Sequence, residues 1–170
     1  MIEKFTFDIQ AKGLKKKMIL VKNETERRNH IVMKLLGYVL FYDPRLQIEC
    51  SVDMHYKPDL AIPGDHGVPE LWIDCGQIAV KKVENLSSKF HNTRLIIIKE
   101  TKREMESFRK IIEKKAEHFE RVEYLSFEKG FVQNIADSLK RVNEVTVYDV
   151  IENVIGFALN EEVFETALYR

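Results

Sequence analysis

The chain has 170 residues, 27 Lys+Arg against 27 Asp+Glu, and 45% hydrophobic side chains. That length suits one domain, residues 1–170, and the apolar share is enough for a core, which excludes wholesale disorder. A formal net charge of zero excludes a protein that coats nucleic acid by bulk basicity, and no apolar run approaches the roughly 20 residues of a membrane span.

Residues 4–10 (KFTFDIQ) alternate as a half-buried strand, with Phe5, Phe7 and Ile9 on one face. Ala11 to Lys16 reads as a turn and Lys17 to Lys22 as the return strand. A helix is expected from Asn23 or Thr25, because Asn23 and Glu26 have capping-box spacing. Ile31, Leu35 and Val39, broadened by Val32, Leu36 and Leu40, make its buried stripe, and Asp43-Pro44 marks its end. Strands are expected at Leu46–Val52, Pro58–Ile62 and Glu70–Cys75, with Gly64-Asp65-His66-Gly67 as a hairpin turn. Ala79, Val83, Leu86 and Phe90 share a helix face. Arg94–Lys99 is a continuously apolar strand of the kind covered on both faces. Met105 to Phe119 reads as a helix, Val122–Phe127 as a strand and Phe131 to Leu139 as a helix. Val145–Tyr169 alternates again, broken by turns at Glu152-Asn153 and Asn160-Glu161. The order is β-β-α-β-β-β-α-β-α-β-α-β-β-β: an α/β domain with a mixed sheet, plus an additional antiparallel β-layer formed by the N- and C-terminal strands.

The zero net charge conceals a pattern. Residues 1–42 carry nine basic and four acidic side chains, residues 43–80 two and seven, and residues 81–121 twelve and seven. An acidic segment between two basic ones suits carboxylates for a cation flanked by bases for phosphates, although charges also simply mark solvated faces. The N-terminus carries charges within MIEKFTFDIQ, unlike a signal peptide, and Cys50 and Cys75 make no disulfide framework. The expected compartment is the cytoplasm, without membrane contact.

The strongest chemical signal is KPDLAI followed by ELWIDCGQ. Asp59 lies on one strand and Asp74 at the carboxyl end of the next, so an antiparallel hairpin can set them side by side. Two close carboxylates repel unless a cation lies between them, and Mg²⁺ (or Mn²⁺) is commonly held by one or two carboxylates with substrate phosphate and water. The plainer reading is two strand-end acids exposed to water. Glu26 has a similar choice between capping its helix and joining the site. His30 stands one turn after it, on the same helix face. Gln77, just past Asp74, is either a hydrogen-bonder to a metal-bound water or phosphate, or a loop residue. Trp72 reads as core. Cys75 lacks support as a nucleophile, and His66, His91 and His118 form no zinc pattern.

These residues resemble the PD-(D/E)XK nuclease superfamily, and more narrowly the YaeQ-like family. Thr25-Glu26 with His30 is similar to that family's helix opening, and Tyr42-Asp43-Pro44-Arg45-Leu46 to its helix end. Glu70-Leu71-Trp72-Ile73-Asp74-Cys75-Gly76-Gln77 resembles its E-L-W-I-(D/E)-x-G-Q strand, Lys81-Lys82 its basic helix, and Val145 to Tyr169 its tail. The resemblance implies a PD-(D/E)XK nuclease-like core and a metal-dependent, nuclease-like protein acting on nucleic acid phosphodiesters. It implies Asp59 and Asp74 as metal ligands, the backbone carbonyl of Cys75 as a third, and Glu26 as the helix acid that supports the metal. The sequence departs from the motif at Gly76, where a lysine is expected. Lys82 is the expected replacement and Lys81 the weaker one. Without a working lysine, the implied protein is a catalytically inactive interaction module for nucleic acid or a protein partner.

Overall fold

Alternation of apolar and polar side chains sets the first hairpin. Phe5, Phe7 and Ile9 on β1 (Glu3–Ala11) are buried, as are Leu14, Met18 and Leu20 on β2 (Leu14–Lys22). The strands pair from Glu3↔Lys22 to Ala11↔Leu14, leaving only Lys12-Gly13 as the turn, with Gly13 at φ 74°. The return strand therefore starts before the expected Lys17, because the glycine closes a two-residue loop. These coordinates come from a computed structural model, which describes residues 1–50 and 55–170.

Helix α1 (Arg28–Leu40) starts later and ends earlier than its sequence signals. The Asn23–Glu26 box forms by half: the Asn23 N–H donates to Glu26 Oε2 at 3.1 Å, but the N-cap is Arg27, without a side-chain cap. Glu26 thus closes a turn ahead of the helix. At the other end, Pro44 disfavours helical backbone at Asp43, and the helix has already opened at Phe41.

Next come β3 (Gln47–Ile48), β4 (Leu60–Ile62) and β5 (Leu71–Cys75), paired antiparallel in turn. The end of the strand expected at Leu46–Val52, namely Ser51 and Val52, lies outside the described residues. Cys50 is half-buried and falls outside β3, whereas Cys75 is buried in β5, and both thiols are free. Then α2 (Val80–Lys89), β6 (Arg94–Thr101), α3 (Lys102–Lys115), β7 (Val122–Phe127) and α4 (Phe131–Ser138) alternate. Helix α3 is capped by Thr101 Oγ1, which accepts from the Glu104 N–H, and it stops before the expected Phe119, which lies in a 3-10 turn. A last meander, β8 (Val142–Ile151), β9 (Val154–Leu159) and β10 (Glu162–Tyr169), turns at Asn153 and Asn160, both at positive φ.

The element order is the one read from the sequence. The sheet differs from that reading in two respects. The terminal strands are continuous with the central ones in a ten-stranded mixed sheet, ordered β2-β1-β8-β9-β10-β7-β6-β5-β4-β3. Two residue pairs, Leu168↔Phe127 and Tyr169↔Ser126, join the halves, and β1 runs parallel to β8, so the added strands are not purely antiparallel. Helix α1 explains this arrangement. It packs on β2 from one half, on β4, β5 and β6 from the other, and on α4. Ile31, Val32, Leu35 and Leu36 are fully buried, in one cluster with Phe5, Phe7, Ile73 and Ile98. Helices α2 and α3 cover the other face of the central strands, over Trp72, Leu95 and Ile97. Because β5, β6 and β7 are mutually parallel, α2, α3 and α4 all begin at the carboxyl edge of those strands. Among the described residues, no helix is long and apolar enough to cross a membrane.

Candidate functional site

The β4–β5 hairpin places the two acids. Its register runs Ile62↔Leu71, Ala61↔Trp72, Leu60↔Ile73, so Asp59 falls opposite Asp74, one residue before β4 begins. The two residues are interlocked through their backbones. The Asp59 N–H donates to Asp74 Oδ1 at 3.2 Å, and the Cys75 N–H donates to Asp59 Oδ2 at 2.8 Å.

Helix α2 supplies the partner of Asp74. Lys82 Nζ lies 2.8 Å from Asp74 Oδ2, which also accepts from the Trp72 indole N–H at 3.0 Å. The lysine is further held by the Lys57 carbonyl at 3.3 Å and lies over the Tyr56 and Trp72 rings. Trp72 is core, as expected, and it is also a hydrogen-bond donor to the acid two residues on.

Helix α1 supplies the partners of Asp59. His30 Nε2 lies 3.1 Å from Asp59 Oδ2, and His30 Nδ1 lies 2.5 Å from Glu26 Oε1. One turn further on, Lys34 Nζ sits 2.8 Å from Glu26, 2.5 Å from Glu49 Oε1 and 3.9 Å from Asp59 Oδ1. Glu26, His30 and Lys34 are four residues apart, which carries all three to one side of the chain.

Burial is the largest single influence on each of these groups, and charged partners set the net direction at all of them but Asp74. It raises the Asp74 carboxyl above the ordinary value, with Lys82 opposing and Asp59 adding to the rise. Asp59 is also pushed up by burial, but His30, the Cys75 N–H and Lys34 together bring it below the usual carboxylate value. Glu26 likewise ends low, because Lys34 and the Asn23 N–H outweigh its burial. The reverse holds for the bases: burial disfavours charged His30 and Lys34, and their carboxylate partners nevertheless raise both. An imidazolium between Glu26 and Asp59 satisfies both carboxylates at once.

Some expected residues stay outside. Gln77 is exposed, and no hydrogen bond links it to the acids. Lys81 is 78% exposed and pairs with Glu84, which leaves Lys82 as the lysine at Asp74. The His91 and His118 rings meet edge-on at 6.2 Å, and His66 lies apart in the β4–β5 link. Cys75 is buried, and burial together with Asp59 and Asp74 pushes its thiol well above the ordinary value, which suits no nucleophile. Gly76 has φ 80°, a conformation that L side chains rarely adopt, and a Cβ there would face Met33 and His30. Two residues at the site carried no notice in the sequence reading, Lys34 and Glu49. Lys34 had a signal: it is the sole charge between Ile31 and Leu40, inside an apolar run. Glu49 had none.

The YaeQ protein family model matches residues 14–167. The chain belongs to the YaeQ family. Two crystal structures of YaeQ proteins share its fold. That from Xanthomonas axonopodis pv. citri aligns with a TM-score of 0.75 at 17% identity, over 98% of this chain and 95% of that one. That from Pseudomonas syringae aligns with a TM-score of 0.73 at 18% identity, over 98% of this chain and 93% of that one. No curated protein matches the chain. At these identities the YaeQ structures speak for the fold, and the chemistry rests on the residues described above.

Proposed function

We propose that this YaeQ-family protein acts as one unit over residues 1–170 and hydrolyses phosphodiester bonds in nucleic acid with a divalent cation, in the manner of PD-(D/E)XK nucleases. The observation that carries the reading is Lys82 on Asp74, with Asp59 opposite in register. A lysine thus reaches the acid pair although Gly76 stands at the usual motif position.

The donors fit Mg²⁺ or Mn²⁺ in kind. Asp59, Asp74 and the Cys75 carbonyl would offer oxygen ligands, with Glu26 behind them, as a hard cation requires. Four carboxylates (Glu26, Glu49, Asp59 and Asp74) face two ammonium groups and one imidazole, so negative charge remains even with the imidazole protonated. Asp59 Oδ1 has Lys34 at 3.9 Å and, among the described residues, no hydrogen bond, which leaves lone pairs for a cation. Among the described residues, no three His, Cys, Asp or Glu side chains form a ready-made cluster, so substrate and water are required to complete the shell. Such a cation polarises phosphate and lowers the pKa of water. The chain's own part is to hold Asp59 charged through His30 and Lys34, and to place the Lys82 ammonium where charge develops on phosphate.

Cleavage of single- and double-stranded DNA and of RNA, with Mg²⁺ or Mn²⁺ and with chelator, tests this reading. Activity in the wild type that disappears in Asp74→Asn and Lys82→Ala supports it, as does calorimetric Mn²⁺ binding lost in Asp74→Asn. Cleavage unchanged by Asp74→Asn overturns it. The second reading, a non-cleaving interaction module, is favoured by one feature: Asp74 already has Lys82, Trp72 and the Asp59 N–H as partners, which compete with a cation.

A further inference from the structure

All four helices start at the same edge of the sheet, and each starts with basic side chains. Arg27 and Arg28 open α1, Lys81 and Lys82 lie in the first turn of α2, Lys102 and Arg103 open α3, and Lys129 precedes the Gly130 cap of α4. The shared edge follows from topology for α2, α3 and α4. For α1 it follows from contacts: Asn29 donates to Glu100 Oε1 at the end of β6 and to Gln133 Oε1 on α4, and His30 meets Asp59.

This placement opposes helix stability. The amino end of a helix carries partial positive charge, so acids are favoured there and bases disfavoured. Only α3 has an acid in its first turn, Glu104; Glu24 ahead of α1, Glu106 on α3 and Glu128 ahead of α4 are further exposed acids near these starts. Arg27, Arg103 and Lys129 make no ion pair among the described residues. Lys102 is 54% exposed and only loosely paired, 3.9 Å from Glu106. A buried charge lies beneath them. Lys99, at the end of β6, is 7% exposed and donates to the Gly76 carbonyl at 2.6 Å, without a carboxylate ion pair among the described residues. One carbonyl and the face of the Phe108 ring, 4.1 Å from Nζ, serve an ammonium with three N–H donors. Burial pushes Lys99 below the ordinary lysine value, with Glu104 opposing.

We propose that this edge is a phosphate track: Lys81, Lys102, Arg103 and Lys129 contact successive phosphates of one nucleic-acid strand lying across the carboxyl ends of β5, β6 and β7, with Lys99 adding potential from below. The track rests on the reading of Asp59 and Asp74 as the cleavage centre only for where that strand is cut; binding is read separately. Exposed bases at successive helix starts suit an extended polyanion. The strand passes the acids at the β5 end of the track.

The test is anisotropy of a short labelled poly-dT strand, in chelator, across a salt series. The triple variant Lys81→Gln, Lys102→Gln, Lys129→Gln is compared with a control of equal charge change, Lys15→Gln, Lys17→Gln, Lys114→Gln, at exposed positions on β2 and α3. The edge variant should bind at least about tenfold more weakly at low salt, with its log K against log salt slope shallower by about two units. The control should bind like the wild type. Equal losses in both variants overturn the track, as does wild-type binding to anionic vesicles but not to poly-dT at low salt. If the wild type cleaves nothing while the edge variant alone loses binding, the track stands and the cleavage reading falls. If cleavage proceeds and the edge variant leaves binding untouched, the reverse holds.

Discussion

Lys82 Nζ on α2 and Asp74 Oδ2 on β5 lie 2.8 Å apart, and the acid's side chain is 3% exposed while the lysine's is 19% exposed. The pair joins the first turn of a helix to the end of the strand before it. Its worth comes from the burial of the acid.

Lys82→Ala leaves Asp74 without a counter-charge in a buried place. At neutral pH the variant should lose about 3 kcal/mol. That is more than an ion pair at the surface ordinarily contributes, and the difference belongs to the stranded carboxylate. The pH dependence has a definite sign. Asp74 has a folded value raised above 3.8, so its favourable contribution is fully present below 3.8 and is lost as pH rises through the folded value. Without Lys82 that folded value moves higher still. Urea midpoints measured across pH should show the gap between variant and wild type narrowing on acidification. A constant gap contradicts the pairing.

Lys34→Met should be the more damaging change. Its side chain is 3% exposed, and it serves Glu26, Glu49 and Asp59. Removing it strands buried carboxylates at a cost of about 3–5 kcal/mol. Glu49→Gln, at a side chain 40% exposed, should cost under about 1 kcal/mol. Thermal melts of the two variants decide; equal effects would count against the central place of Lys34.

Gly76→Lys restores the residue type that the nuclease motif carries at this position, but it should restore nothing. The backbone at φ 80° disfavours any L side chain, by about 1–2 kcal/mol, and the new Cβ would face Met33 and His30 on α1. The variant should melt lower and show no gain in cleavage. A gain in metal-dependent cleavage would mean that the strand end can rearrange.

Thiol labelling offers a direct check on burial at the site. Native protein should expose one reactive thiol, Cys50, which is half-buried, while Cys75 at 3% exposure reacts only after denaturation. Rapid labelling of Cys75 in the native state would mean that the strand end opens freely.

The fold was legible where one local rule decided the outcome. Two-residue alternation marked β1 and the C-terminal meander, and Asn153 and Asn160 sit at the turns where Glu152-Asn153 and Asn160-Glu161 stood. Boundaries moved where tertiary contacts competed. Asn23 and Glu26 kept their hydrogen bond, yet Glu26 stayed ahead of α1 to meet His30 and Lys34. The hairpin register set Asp59 opposite Asp74, whereas Lys82 was named from the resemblance to the nuclease motif and not from its own spacing. Lys34 was passed over because an apolar stripe reads as core, and a single cation within it reveals its partners only when other segments close around it.

The sequence by itself determined the order of the elements, the hairpin that sets Asp59 opposite Asp74, and the family, because those depend on residues close along the chain. Only the tertiary structure decided that the chain ends extend one sheet around α1 and that Lys34 and Glu49 belong to the site. It also decided that four basic helix starts share one edge. Each of those facts joins segments distant in sequence, and local spacing carries no record of which segments meet; the joint burial of α1 between the two halves of the sheet fixes the meeting.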